Sequence, residues 1–192
     1  MQKWVRNTHL LLGVFSLPFM LMYGVSAVQM GHRKWFDARP KVTNVSVQVA
    51  ASEAPDARSL ARVLMARGAI QGEIVRADSG PKGYQVRVVR PGTIYNVTYN
   101  PSVGAASIET STSNFLFMLN RLHHVAGTRH DYAPVNWWGW ILGLAGAMLI
   151  VLAATGIYLW FKMHGELVIG SILLAASLGY SMTLIVMLRT SQ

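Results

Sequence analysis

Six histidines are the side chains of this sequence best placed to do chemistry near neutral pH: His9, His32, His123, His124, His130 and His164. Cysteine is absent, which excludes disulfides, thiolate metal sites, iron–sulfur clusters and thiol nucleophiles. Imidazole is a metal ligand and an axial haem ligand. A b-type haem would take two imidazoles at equal depth across a helix gap. His9 with His164, or His32 with His123 or His124, sit near matching edges of long apolar runs. His9 and His123 each open a His-x-x-x-Gly pattern, ending at Gly13 and Gly127, and glycine leaves room beside a flat ring. Haem b, if the chain holds it, is therefore assigned to His9, His123 and His124. The competing reading needs no cofactor. All six histidines lie at the edges of the apolar runs or beyond, where an imidazole bonds headgroups, helix ends or backbone at little cost.

Other chemistry has less to stand on. The acidic residues are scattered, and neither a His-Glu-x-x-His helix nor a Gly-x-Ser-x-Gly elbow occurs, so hydrolysis lacks its usual machinery. No glycine-rich phosphate loop follows a predicted strand. The formal charge of +9 would suit nucleic acid, but the charges fall between apolar runs, which points to a membrane instead and excludes nucleic acid as the partner. The residues favour a binding or accessory role over catalysis.

The elements that must position these histidines are read from hydropathy. Hydrophobic residues make up 52% of the chain and charged ones 13%, against about 25% charged in an average soluble domain. No Asp, Glu, Lys or Arg lies between Arg6 and Arg33, between Asp131 and Lys162, or between Glu166 and Arg189. Residues 10–30, 137–161 and 167–188 each match the ~20 apolar residues that cross a bilayer. In lipid the chain must be helical there, because every backbone N–H and C=O has to be satisfied within the segment. Trp137, Trp138, Trp140, Tyr158, Trp160 and Phe161 bracket the second span as interfacial anchors. Residues 1–30 also carry signal-peptide features, with Lys3, Arg6 and a small-residue Val25-Ser26-Ala27 site. Their apolar run exceeds the usual ~7–15 residues of such peptides, so they read as a retained anchor. The second and third spans are joined by Lys162, Met163, His164, Gly165 and Glu166, a link that makes them antiparallel neighbours. Gly139, Gly143 and Gly146, with Gly170, Ser171, Ala175 and Gly179, offer small residues for close helix packing within the bundle, or for dimerisation.

Residues 31–113 form a water-exposed segment. Val45, Val47 and Val49 alternate with polar residues as a half-buried strand does. Asp56 is a candidate N-cap for a helix carrying Leu60, Val63, Leu64 and Ala66, ended by Gly68. Strands follow at 73–78, 84–89, 93–99 and 105–108, separated by Gly- and Pro-containing turns. Residues 114–136 add an interfacial helix over 114–126 and a connector. The expected fold class is membrane α+β: three transmembrane helices and a small helix-and-antiparallel-sheet domain.

The segment from Tyr84-Gln85-Val86-Arg87-Val88 to Tyr95-Asn96-Val97-Thr98-Tyr99-Asn100-Pro101, with Gly104, resembles a PepSY domain. Thr8-His9-Leu10-Leu11-Leu12-Gly13, Leu122-His123-His124-Val125-Ala126-Gly127, Trp137-Trp138 and Thr155-Gly156-Ile157-Tyr158-Leu159-Trp160 resemble the PepSY-associated transmembrane proteins of bacteria. Here Thr8 stands where leucine is usual, no arginine follows His9, and residues 128–136 are an insert. The resemblance implies a bacterial inner-membrane protein whose PepSY-like domain is periplasmic and binds a protein partner or a larger membrane complex. Larger members similar to ferric-siderophore reductases imply the alternative, a haem-carrying subunit for electron transfer or iron reduction. Arg33, Lys34, Arg39 and Lys41 flank the first span on the proposed outer side, and by the positive-inside rule alone they would place the domain inside.

Overall fold

The computed structural model describes residues 2–36, 39–81, 83–125, 127–162 and 167–190. Among these, three helices are long and apolar enough to cross a membrane: α1 (Gln2–Gly31), α4 (Ala133–Lys162) and α5 (Leu167–Thr190). Between them lie β1 (Lys41–Gln48), α2 (Ala57–Ala66), β2 (Glu73–Gly80), β3 (Gly83–Arg90), β4 (Thr93–Asn100), β5 (Ala105–Thr112) and α3 (Phe115–His123). The architecture is membrane α+β, as the hydropathy pattern requires. Two compact units separate, residues 1–18 with 144–192, and residues 19–143.

The sheet is antiparallel throughout, in the order β1-β5-β4-β3-β2. β1 precedes α2 in sequence but pairs with the last strand, from Lys41↔Thr112 to Gln48↔Ala105. That pairing carries β5 past Ile108, where alternation alone ends it, to Thr112. Asp56 caps α2 by accepting the Ser59 N–H at 2.8 Å, and this bond holds its carboxyl below the usual carboxylate range. Gly68 turns the chain at φ +70°. There Gly68 N–H donates to Met65 O and Ala69 N–H to Leu64 O, closing the helix as a Schellman motif. Leu60, Ala61 and Leu64 on α2 pack with Val86, Val88, Val97, Tyr99 and Ile108 of the sheet.

Two tyrosines pin the connection from β1 to α2. Tyr99 is buried and donates to Val49 O at 3.0 Å. Tyr84 stacks on Tyr99 and donates to Pro55 O at 2.7 Å. Gly83 lies beneath this stack at φ +128°, and a Cβ there would run into the Tyr99 carbonyl.

The half-buried strand takes a different form from the one expected. Val45 is in register with Ile108 and Val97 of the core row, yet it is 56% exposed. A helix about 10 Å wide covers roughly two strands spaced about 4.8 Å apart. α2 contacts β2 and β3, Val49 and Ala54 close over the middle of the sheet, and neither reaches Val45. β1 is thus an open edge whose inward face carries Val45 and Val47 beside Lys41 and Thr43. The opposite edge, β2, is interrupted by a bulge between Ile74 and Arg76.

α3 is shorter than its apolar pattern. Asn114 is its cap, accepting the Phe117 N–H at 3.0 Å, and the helix ends at His123, with Ala126 outside the described residues. The glycine readings also change. Gly139 is packed against the Gly127 carbonyl, but nothing lies near Gly143 or Gly146, and both are exposed. On α5, Gly170 meets the Trp160 indole, whereas Ser171, Ala175 and Gly179 are exposed. Of these small residues, Gly170 meets another membrane helix, and Gly139 meets the connector at residues 127–128. Lipid supplies no hydrophobic drive for helices to associate, so apolar side chains on α5 need no protein partner. Residues 163–166 of the link lie outside the described residues.

Candidate functional site

The membrane helix α1 is amphipathic in the inverse sense. Leu11, Val14, Leu17, Leu21 and Val28 are exposed, while Ser16, Ser26 and Gln29 are buried at 1% exposure each. Serine in lipid finishes its hydrogen bonding on its own helix. Ser16 Oγ donates to Leu12 O at 2.6 Å, and Ser26 Oγ to Tyr23 O at 2.9 Å.

That choice decides the state of the histidines. In residues 1–18 with 144–192, His9 Nδ1 lies 3.0 Å from Thr155 Oγ1. The Thr155 hydroxyl donates to Val151 O at 2.8 Å or Leu152 O at 3.0 Å. A hydroxyl has one proton, so both contacts are satisfied together only when His9 Nδ1–H is the donor. The lone pair of the neutral ring is then on Nε2. His9 Cε1 would be 3.1 Å from a Cβ at Gly156, so Thr155-Gly156 forms a seat for the ring. In residues 19–143 the same chemistry recurs. His123 Nδ1 lies 2.7 Å from Ser26 Oγ, which is also 2.9 Å from Tyr23 O, so both contacts are satisfied together when His123 Nδ1–H is the donor. The Tyr23 ring meets His123 edge-on at 4.4 Å. Gln29, one turn further on, has neither amide atom hydrogen-bonded.

The remaining histidines go elsewhere. His32 packs on Trp35 at 4.0 Å and is not brought to His123. His124 follows His123, with ring centroids 5.5 Å apart, and is exposed. His130 Nδ1 lies 3.0 Å from Glu73 Oε2, and Asn136 clamps its backbone at 2.7 and 2.8 Å. His164 lies outside the described residues. The glycines of the His-x-x-x-Gly patterns do not flank their own histidines: Gly13 faces Leu152 and Gly127 faces His130. Gly156 is the glycine that admits the His9 ring. Among the described residues no group of three or more His, Asp or Glu comes together to hold a metal.

A cavity of about 460 Å³ opens where β2, β3, α3 and the start of α4 meet. Its walls are Val75, Val89, Pro91, Val125 and Val135, and its polar groups are Glu73, Arg90, Arg121, His124 and His130. A second cavity of about 430 Å³ adjoins it, shares Arg90, Pro91 and Val135, and is lined by Met118 and Trp138. The β3–β4 turn shapes both. Gly92 sits at φ +79°, and a Cβ there would be 3.0 Å from Met118 Cγ, so this turn is pressed under α3. Trp138 Nε1 donates to Leu122 O at 3.2 Å, answering a carbonyl at the end of α3. Sequence reasoning reached His124 but missed Glu73, Arg90, Arg121 and His130 as one site with it. The available signal was the i, i+3 spacing of Arg121 and His124 on one face of a helix.

The family model for the PepSY-associated TM region matches residues 38–178. No curated protein and no solved structure matches the chain.

The two imidazole–hydroxyl contacts are expected to be worth about 0.6–2 kcal/mol each, the range for hydrogen bonds inside membranes. A double-mutant cycle of His9→Phe with Thr155→Val, followed by thermal unfolding in detergent, should give a coupling energy in that range. Additive single effects would show that the contact contributes nothing.

Proposed function

The chain belongs to the PepSY-associated transmembrane family, and from that membership we propose that it is a bacterial inner-membrane protein whose sheet domain acts in the periplasm as a binding or accessory module for a protein partner. It is a multi-pass membrane protein. The observation that carries the binding role is the edge strand β1. It is paired in unbroken register on one side and exposed along nearly all its length, and it carries Val45 as an extension of the core row. An open edge offers unpaired N–H and C=O groups to an added strand, and an apolar side chain at its centre gives that strand something to bury. The periplasmic side is supported by the resemblance of the domain to PepSY modules, against the basic residues that flank the first span.

A photo-cross-linker at Val45, in full-length protein in its native membrane, should give a discrete adduct of higher mass, and Ser46→Lys should remove it by charging the edge. The same cross-linker at Val103, an exposed turn residue, should give none. Equal adducts at both positions, or none at Val45, would count against the reading.

A second reading is favoured by the tautomer. His9 Nδ1 and His123 Nδ1 each lie within hydrogen-bond distance of a hydroxyl, and with that nitrogen as the donor Nε2 keeps the lone pair that an axial ligand needs. The donor chemistry of each residue would therefore suit one axial position of a haem b, and His124 adjoins His123 with ring centroids 5.5 Å apart. Haem, when bound, supplies one-electron transfer of the kind iron reduction requires. The chain's part would be to orient each ring through Thr155 or Ser26. Reduced-minus-oxidised absorbance of detergent-purified protein should then show Soret and α-bands that vanish in His9→Ala plus His123→Ala. A featureless spectrum removes this reading.

A further inference from the structure

We propose that the cavity between β2, β3, α3 and the first turn of α4 binds the headgroup of an anionic phospholipid. The inference does not depend on strand addition at β1; it uses only the membrane setting of the chain.

Charge is the first argument. Arg90 and Arg121 both line the cavity. Its single carboxylate, Glu73, is engaged by His130 at 3.0 Å. Among the described residues no carboxylate pairs with either arginine. Arg90 makes a 3.4 Å contact to Gln71 Oε1 and lies 5.8 Å from the centre of the Tyr95 ring. Its Nε is buried and has no acceptor. A buried donor without an acceptor is costly, more so on a charged group. Two guanidinium groups at one cavity match the paired anionic oxygens of a phosphodiester.

Depth and shape select a lipid as the source of that phosphodiester. Val135 lies in the first turn of the membrane helix α4 and lines both cavities. Trp137 and Trp140, on the next turn, are exposed, as aromatic anchors at the headgroup level are. Valine and proline walls suit the glycerol and first methylenes of a lipid, whereas a free phosphate would gain nothing from them. A volume of about 460 Å³ falls within the ~300–1,000 Å³ of ordinary ligand sites.

The test uses full-length protein purified in mild detergent and offered phosphatidylglycerol or phosphatidylcholine, with retained lipid counted by native mass spectrometry. Phosphatidylglycerol should be retained about tenfold better, and Arg90→Gln with Arg121→Gln should lower that retention about tenfold, the loss expected for charge-assisted hydrogen bonds. Arg121→Gln alone, at an exposed residue, gives the same direction if the double variant fails to fold. Arg58→Gln with Arg62→Gln, on the exposed face of α2, should change nothing. Equal retention of the two lipids, or retention unaffected by both cavity variants, overturns the inference. So does displacement of the lipid by inorganic phosphate, which would mark a site for a free anion. A cross-linker at Val75 that captures a protein segment while lipid retention stays unchanged in the variants would assign the cavity to a protein ligand instead, with the edge-strand result at Val45 unaffected.

Discussion

Inside a bilayer no water is available, so every polar group must be answered by the protein itself. This constraint organises α1. Its protein-facing stripe carries His9, Ser16, Tyr23 and Ser26, with Gln29 the exception whose amide finds no partner among the described residues, and its other face is mainly apolar. The serine and threonine hydroxyls lie within donating distance of carbonyls on their own helices, and a hydroxyl that donates there can only accept from a neighbour. An imidazole that meets such a hydroxyl must therefore donate. Thr155 beside Gly156 provides both the acceptor and the space for His9. Ser26 does the same for His123, with Tyr23 against the ring. The histidines thus join helices first, and any cofactor role would build on rings already oriented.

In residues 19–143 a second set of contacts ties the sheet domain to α3 and the start of α4. The Pro91-Gly92 turn lies under Met118, Ser113 N–H donates to Gly92 O at 2.8 Å, and His130 reaches back to Glu73 on β2. The cavities lie where these meet, so a ligand there would touch the domain and the membrane helix together. The open β1 edge is at the other side of the sheet from β2. One domain therefore presents two separate surfaces, a cationic cavity and an unpaired strand.

Much of this was legible in the sequence. The three spans follow from the absence of charge, because burying one charge in lipid outweighs any local propensity. Asp56 and Gly68 marked the ends of α2 through chemistry confined to a few residues. What could not be read depends on distant partners. The exposure of Val45 depends on how far α2 reaches across the sheet, which alternation does not encode. Gly143 and Gly146 fit a packing motif by spacing yet face outward, since the motif does not say which side of α4 meets protein. Glu73, Arg90 and His130 are far apart in sequence and converge through the β2–β3 pairing and the connector. The His-x-x-x-Gly spacing pairs His9 with Gly13, but the glycine beside the His9 ring is Gly156, which lies on another helix.

The central claim is that two imidazoles donate from Nδ1 to hydroxyls already committed to their own helices. Solid-state nitrogen NMR of histidine-labelled protein in bilayers, at a pH where the rings are neutral, reads this directly. The account predicts protonated Nδ1 and bare Nε2 for both, with Thr155→Val altering the His9 signals alone and Ser26→Ala altering those of His123 alone. Bare Nδ1 in the two rings, or signals indifferent to both substitutions, would contradict it.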